Sequence, residues 1–397
     1  MKINKTFRKF INDIHLWLGI GSGIILFIVC LTGTILAFEQ EIKFLLNKNS
    51  HTVETGSDKK SLYELKHDLE KSGQYDIAEF IIIAKKSYTA IAIENKSLQN
   101  DEKHNEGEDD HGPKRATLHI NPYSGDILPE ESFNKGNAFF LSVMKLHRWL
   151  LLDIKTGRPI VGIATITFII LCLSGFILWL PKKLNKAKQW KQGFSIKWKS
   201  GWKRINYDVH NTLGFYALIP LLIMGLSGLI WSFPGYYKGL ENILGDKLGK
   251  QRFDKTITLK SDTYRTSFFP VENLMKETDS LKGQDAIAYR ITFPQKKGQT
   301  IMVRRKEKGF FASDASDKFQ FNPYTGKLVE VDYFKDWKFN EKVAALIRAI
   351  HIGSFMGYFS KIIYFFCCLI ATTMPITGTL IWINKLKKNN QITKNIS

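Results

Sequence analysis

The chain has 397 residues, a formal net charge of +20, nine histidines and four cysteines. Its length allows more than one domain, and its charge first suggests a nucleic-acid partner. The charge distribution excludes that reading. The basic segments flank long apolar runs on one side, as cytoplasmic loops of membrane proteins do, and anionic lipid head groups account for them.

In chain order, segment 1–40 opens with twelve residues that hold basic but no acidic side chains, then an apolar run over 16–38. A bilayer crossing needs about 20 apolar residues. The run is too long for a cleavable signal peptide and lacks a small-residue cleavage site, so it reads as a retained anchor. Segment 41–140 predicts a small α+β domain. It holds an amphipathic helix, SLYELKHDLEKS (61–72), β-rich runs such as EFIIIA and YTAIAIE, and HINPYSGDIL (119–128). The last reads as strand, tight turn, strand. The acidic stretch DEKHNEGEDDHG (101–112) reads as a solvated insertion.

Segment 141–180 carries KLHRWL and a second apolar run, 159–180; segment 181–206 is a basic loop whose residues 181–204 contain no acid. A third run, 212–233, lies in segment 207–233. Segment 234–342 predicts a second α+β domain, with VENLMKETDSL (271–281), AIAYRITF, TIMVRR and QFNPYTGKLV (320–329). Segment 343–384 carries AIHIGS and a fourth run, 357–383, and 385–397 is a basic tail. The expected fold is an α-helical integral membrane protein with four main spans and two small α+β domains outside. Both termini and the basic loop are expected in the cytoplasm.

The chain is written twice. Residues 11–38 lie over 206–233 without a gap, matching Asp13 to Asp208, His15 to His210, Gly19 to Gly214, Gly33 to Gly228 and Phe38 to Phe233. HINPYSGDIL matches QFNPYTGKLV, KLHRWL matches AIHIGS, and LSGFILWLPKKL (173–184) matches ITGTLIWINKLK (376–387). Each half reads span, outer domain, span, which makes the repeats parallel rather than inverted.

His15, His147, His210 and His351 stand at the starts of the four membrane segments at matched positions. The topology sets His15 and His210 near one membrane face, and His147 and His351 near the other. Two neutral imidazoles from two helices suit six-coordinate b-type haem, which transfers electrons. Two haem b groups, one near each face, would span the bilayer. Trp17, Gly19, Gly214, Trp149 and Gly353 would suit a flat porphyrin, and Lys145, Arg148 and Arg348 its propionates. A histidine at a helix end also serves as a polar interfacial anchor. Zinc is a further alternative, but it prefers four ligands together. Met144 or Met356 is an alternative axial ligand.

His147 and Gly175 are 28 residues apart, about 42 Å of helix. That is too long for one straight span, so a break is expected near KTGRP (155–159) and another near Gly357, with His147 and His351 on short outer helices or on tilted extensions. His51, His67 and His119 read as surface or domain residues, and the span cysteines as packing. No CxxCH, CxxC, GxSxG, HExxH, phosphate loop or GxGxxG opening a nucleotide domain is present. An electron donor would therefore be another protein, a diffusible reductant or membrane quinol.

The NPYSG/NPYTG hairpins and the histidine-led spans (IHLWLG, VHNTLG, LHRWLL, AIHIGS) resemble PepSY-domain membrane proteins over about residues 5–388. The likeness is to the PepSY-associated transmembrane iron-uptake proteins of Gram-negative bacteria. It implies a dihaem b-type reductase in the inner membrane, acting on periplasmic ferric iron held by a siderophore. By position, the haem-iron ligands would be His15, His210, His147 and His351. The substrate would dock between the two outer domains. Two other readings stay open: a PepSY membrane protein without haem that binds or regulates envelope peptidases or senses the envelope, and a cytochrome serving an unrelated periplasmic oxidoreductase.

Overall fold

The computed structural model describes residues 5–47, 53, 58–83, 89–94, 115–129, 134–182, 187–249, 256–259, 268–283, 285–307 and 315–394. The acidic stretch 101–112 and His51 lie outside them. The first half runs α1 (Lys5–Leu36), α2 (Glu39–Leu46), α3 (Leu62–Lys71), β1 (Asp76–Ile83), β2 (Thr89–Glu94), β3 (Arg115–Ile120), α4 (Asn137–Trp149) and α5 (Ile154–Trp179). After α6 (Ala187–Gly193), the second half runs α7 (Trp202–Gly228), α8 (Pro234–Leu244), α9 (Val271–Lys282), β4 (Ala286–Thr292), β5 (Ile301–Glu307), β6 (Asp317–Phe321), β7 (Leu328–Asp332), α10 (Phe339–Ala345), α11 (Ile347–Ile352) and α12 (Tyr358–Lys394).

Among the described helices, α1, α5, α7 and α12 are long and apolar enough to cross a membrane. Each of α1 and α7 packs against both α5 and α12, which gives the cyclic order α1–α5–α7–α12. Large apolar side chains point outward from this bundle: Ile24 is 78% exposed, Ile219 69% and Ile163 61%. A surface of that kind is stable against lipid and not against water. The helices are longer than their apolar runs. α1 begins at Lys5 and α7 at Trp202, so His15 and His210 lie two to three turns inside continuous helices rather than at their starts.

The segments holding the other two histidines are broken, as their length requires. α4 ends at Trp149, and Leu150 and Leu151 adopt left-handed φ values of 57° and 58°, a costly conformation for leucine. Asp153 then caps α5, its side chain accepting from the Lys155 N–H at 2.9 Å. The break therefore falls before KTGRP, which lies inside α5, and Pro159 is carried within the helix as membrane helices tolerate. In the second half α11 ends on Gly353, with φ 76°, and α12 starts after Gly357, with φ 66°.

The outer segments differ more from expectation. Their strands form one antiparallel sheet in the order β3-β2-β1-β4-β5-β6-β7. β1 pairs with β4 from Glu79↔Thr292 to Ile83↔Ala288. Left apart, each would be an unpaired sheet edge; joined, both edges are satisfied. Among the described residues the two segments thus meet along a shared ladder rather than as separate domains. Helices α3 and α9 cover the same sheet face, and their Leu62, Leu65, Val271 and Leu274 share one core with Phe80, Ile291, Phe319 and Phe321. The Leu62 N–H donates to Glu272 Oε1 at 2.8 Å, so the second half helps to cap the first helix of the first.

The two hairpin turns match in detail. Gly125 N–H donates to Asn121 O at 2.9 Å and Gly326 N–H to Asn322 O at 3.0 Å. Each Asn side chain accepts from the Tyr N–H two residues on, at 2.9 Å. Both glycines are left-handed, with φ 86° and 70°. The second turn continues into the β6–β7 ladder, whereas the first yields only the single bridge Ile120↔Ile127. Pro129 follows closely and has no N–H to extend that pairing.

Phe80 and Ile291 face each other across the β1–β4 junction, both fully buried. Phe80→Ala should destabilise the outer region by about 3–5 kcal/mol. In thermal unfolding of the detergent-solubilised chain, strands of both halves should lose protection together. Loss confined to the first half's strands would show that the sheet is two independent units.

Candidate functional site

The four matched histidines meet in two pairs at opposite ends of the bundle. At the end carrying the termini, the rings of His15 on α1 and His210 on α7 have centroids 6.3 Å apart and planes at 89°. At the sheet end, His147 on α4 lies within electrostatic reach of His351 on α11. α1 and α7 run the length between: Thr32, the partner of His147, is 17 residues beyond His15, about 25 Å along the helix.

Each ring is held through Nδ1 by a hydroxyl on a different helix. His15 Nδ1 lies 2.9 Å from Ser174 Oγ on α5, and His210 Nδ1 lies 2.8 Å from Thr377 Oγ1 on α12. His147 Nδ1 lies 3.0 Å from Thr32 Oγ1 on α1, and His351 Nδ1 lies 3.0 Å from Ser227 Oγ on α7. A glycine follows every one of these hydroxyl residues. A Cβ at Gly33, Gly175, Gly228 or Gly378 would meet the Cε1 of the imidazole at 3.1–3.3 Å, tighter than an ordinary van der Waals contact. The pair Ser/Thr-Gly therefore supplies a hydrogen-bond partner and the space for the ring beside it.

These partners were not picked out as a site from the sequence. The signal was there: LTGT (31–34), LSGF (173–176), LSGL (226–229) and ITGT (376–379) place the same dipeptide in every span. The other residues proposed to line a porphyrin divide. Trp17 is 65% exposed and points away from the bundle. Gly353 serves the α11 turn, where a Cβ would strike the Tyr364 ring at 2.4 Å. Gly19 and Gly214 allow helix contact, a Cβ there lying 3.8 Å from Leu171 and 3.6 Å from Met374. Trp149 stays beside His147, with the Arg148 guanidinium over its ring at 5.3 Å. Lys145 and Arg348 are exposed at the sheet end. Met356 is tied through its N–H to Ser360 at 3.0 Å. His67 and His119 lie on α3 and β3, away from both pairs.

Charges near the bundle ends are matched within the protein. Asp208, two residues before His210, is buried against Arg204 at 2.8 Å and accepts from the Lys197 N–H at 3.2 Å. Arg8 donates to the Leu180 carbonyl at 2.8 Å and also reaches that of Leu178, closing the end of α5. At the sheet end, buried Lys361 is bonded to both oxygens of Glu41 at 2.6 and 2.7 Å, fastening α2 to α12. Between the ends, Cys30, Cys172, Cys367 and Met224 pack with Ala217 and Leu221 in a dry core. Among the described residues no three His, Cys, Asp or Glu side chains gather as a metal cluster.

His147 and His351 lie on short helices outside the spans. Burial lowers both imidazoles below the ordinary histidine range, with Arg148 adding to the effect on His147 and His147 to that on His351. Both are thus neutral near pH 7, the form that ligates a metal.

Taken together, four apolar spans, a seven-stranded sheet beyond one end of the bundle and two half-buried histidine pairs define a polytopic membrane protein with paired histidines at each bundle end. The chain belongs to the family described as PepSY-associated TM region, whose model matches residues 13–385. No curated protein matches the chain.

The histidine shift sets a pH dependence. Unfolded His351 takes up a proton near pH 6.5, whereas the folded group does so only near about 4. The unfolded state binds more protons between these values, so stability falls as pH drops below 6.5 and is unaffected above it. The loss at pH 4 from this group is about 3 kcal/mol. Melting of the purified chain at pH 7.5, 6 and 5 should show the decline, and His351→Gln should make it shallower, the part due to His147 remaining.

Proposed function

We propose that this chain is a transmembrane b-type dihaem electron-transfer protein, a ferric reductase releasing iron from a periplasmic siderophore or other ferric chelate. The observation that carries the reading is the spacing of His15 and His210. With metal–imidazole bonds of about 2 Å, two imidazoles holding one iron between them would have centroids about 6 Å apart, and the observed separation is 6.3 Å. The donor set also fits: Nδ1 of each ring is engaged by a hydroxyl, which leaves Nε2 for iron.

His15 and His210 would hold one haem b, and His147 and His351 the other. Bound there, the two groups supply one-electron redox centres near opposite membrane faces. The protein's own part is to fix four imidazoles, to keep water out through the apolar core around Cys367 and Ala371, and to set the pairs far enough apart to cover the apolar thickness. Exposed Lys145 and Arg348 would meet the propionates at the sheet end. The basic termini and loop 181–206 favour the cytoplasm for the opposite end of the bundle, which carries the termini; the sheet would then lie on the periplasmic side of a bacterial inner membrane. The electron donor is then a cytoplasmic protein or membrane quinol. Siderophores hold Fe(III) through hard oxygen donors and Fe(II) weakly, so one-electron reduction frees the metal.

The test is a reduced-minus-oxidised spectrum with pyridine haemochrome quantitation. Two b haems per chain are expected. His147→Ala with His351→Ala should halve the haem and abolish reduction of ferric chelates at the outer face. A folded, haem-free protein from haem-sufficient cells would overturn the reading in favour of a binding or regulatory role. Unchanged ferric reductase activity in the double variant would overturn the path.

A further inference from the structure

The hydroxyl partners of the histidines carry more information than a contact. A hydroxyl has one proton to donate. Thr32 Oγ1 gives its proton to the Ile28 carbonyl at 2.7 Å and Ser227 Oγ to the Ile223 carbonyl at 2.6 Å. Ser174 Oγ donates to the Leu171 carbonyl at 3.2 Å and Thr377 Oγ1 to the Thr373 carbonyl at 3.0 Å. This back-bonding to the helix's own carbonyls is the habit of Ser and Thr in apolar helices. With its proton committed, each hydroxyl faces the imidazole as an acceptor. The ring nitrogen it meets must therefore carry the hydrogen.

A second contact makes the same demand independently. His147 Nδ1 also lies 3.0 Å from the Val29 carbonyl, and His351 Nδ1 lies 3.0 Å from the Met224 carbonyl. A carbonyl can only accept. In each case the carbonyl belongs to the residue three before the Ser or Thr, so one helical turn presents both acceptors. For His210 the hydroxyl of Thr377 is the Nδ1 partner among the described contacts.

We propose that Thr32, Ser174, Ser227 and Thr377 are positioning residues that lock all four imidazoles as the Nδ1–H tautomer. Each Nε2 is then presented as a lone pair before any ligand arrives. The tautomer stands without the dihaem reading; its effect on iron rests on that reading. An Nδ1–H that donates strongly makes the ring more electron-rich and favours the ferric state, as partners of metal-bound histidines do. Removing the acceptor should raise the midpoint potential and loosen the ligand.

The four sites differ in how much support remains when the hydroxyl goes, and this gives a graded test. Thr377→Val leaves His210 without its hydroxyl acceptor. Thr32→Val leaves His147 the Val29 carbonyl. Thr377→Ser keeps a hydroxyl and serves as the rescue variant.

The first readout is ¹⁵N NMR of the histidine-labelled, haem-free full chain. The wild type should show protonated Nδ1 and unprotonated Nε2 at all four sites. Thr377→Val should lose the fixed tautomer at His210, while Thr32→Val and Thr377→Ser keep theirs. The second readout is haem titration with a redox titration of the loaded protein. Thr377→Val should weaken haem affinity by about 10- to 100-fold at one site and raise that site's potential, and Thr32→Val should change both less. Unprotonated Nδ1 in the wild type overturns the proposal, as do equal effects of Thr377→Val and Thr32→Val. A wild type that shows the tautomer but binds no haem sinks the dihaem reading and leaves the tautomer lock standing.

Discussion

An imidazole set among apolar helices needs a hydrogen-bond partner, because an unpaired polar group in a dry environment is costly. That requirement organises this molecule. Each of the four rings finds a hydroxyl on a neighbouring helix, and the ring fits because the next residue is glycine. The Ser/Thr-Gly dipeptide thus fixes more than a side chain. It sets how closely α1 approaches α4 and α5, and α7 approaches α11 and α12. Small residues generally let membrane helices approach one another; here the space they leave is filled by a histidine ring.

The sheet-end pair depends on the chain outside the spans. His147 and His351 do not ride on membrane helices but on short helices that return from the outer sheet and stop at sharp turns. The left-handed Leu150 and Leu151 carry a conformational cost that the surroundings must hold in place. Trp149 lies there with Arg148 and Arg158 over its ring at 5.3 and 5.9 Å, and Gly157 has no room for a Cβ beside the Trp149 carbonyl. On the other side, Ala315, just before β6, packs with Leu346 and Ala349, two residues from His351. The segment leading into β6 is therefore packed directly against the helix that carries His351.

Much of this was legible in the sequence because it depends on local pattern. Apolar run length gave the spans, Asn-Pro-Tyr-Ser/Thr-Gly gave the turns, and the second copy gave the register of the histidines. The limits were physical. Apolar length marks where the hydrocarbon is, not where a helix begins, so α1 and α7 reach further than their runs. A break was required by length, but its position was chosen by Asp153 capping α5 and by two leucines in a conformation that leucine does not advertise. The joined sheet rests on β1 meeting β4 across some two hundred residues, which alternation within a strand cannot report. The hydroxyl partners were written in all four spans, but Ser and Thr also bond their own helix in any membrane segment, and only the fold shows an imidazole facing them.

The duplication has a division of labour. The hydroxyl contacts lie within a half: His15 with Ser174 and His147 with Thr32 in the first, His210 with Thr377 and His351 with Ser227 in the second. The histidine pairs lie between halves, as do the β1–β4 ladder and the Glu272 cap on α3. One half can orient its own two rings but offers a single imidazole at each bundle end. Two halves give two at each end, so neither site exists until the halves are together. A group that draws on both rings of a pair would also bind the halves to each other, adding its affinity to the stability of the assembled bundle. Occupancy by such a group and the seam between the halves would in this way be coupled through the same four rings.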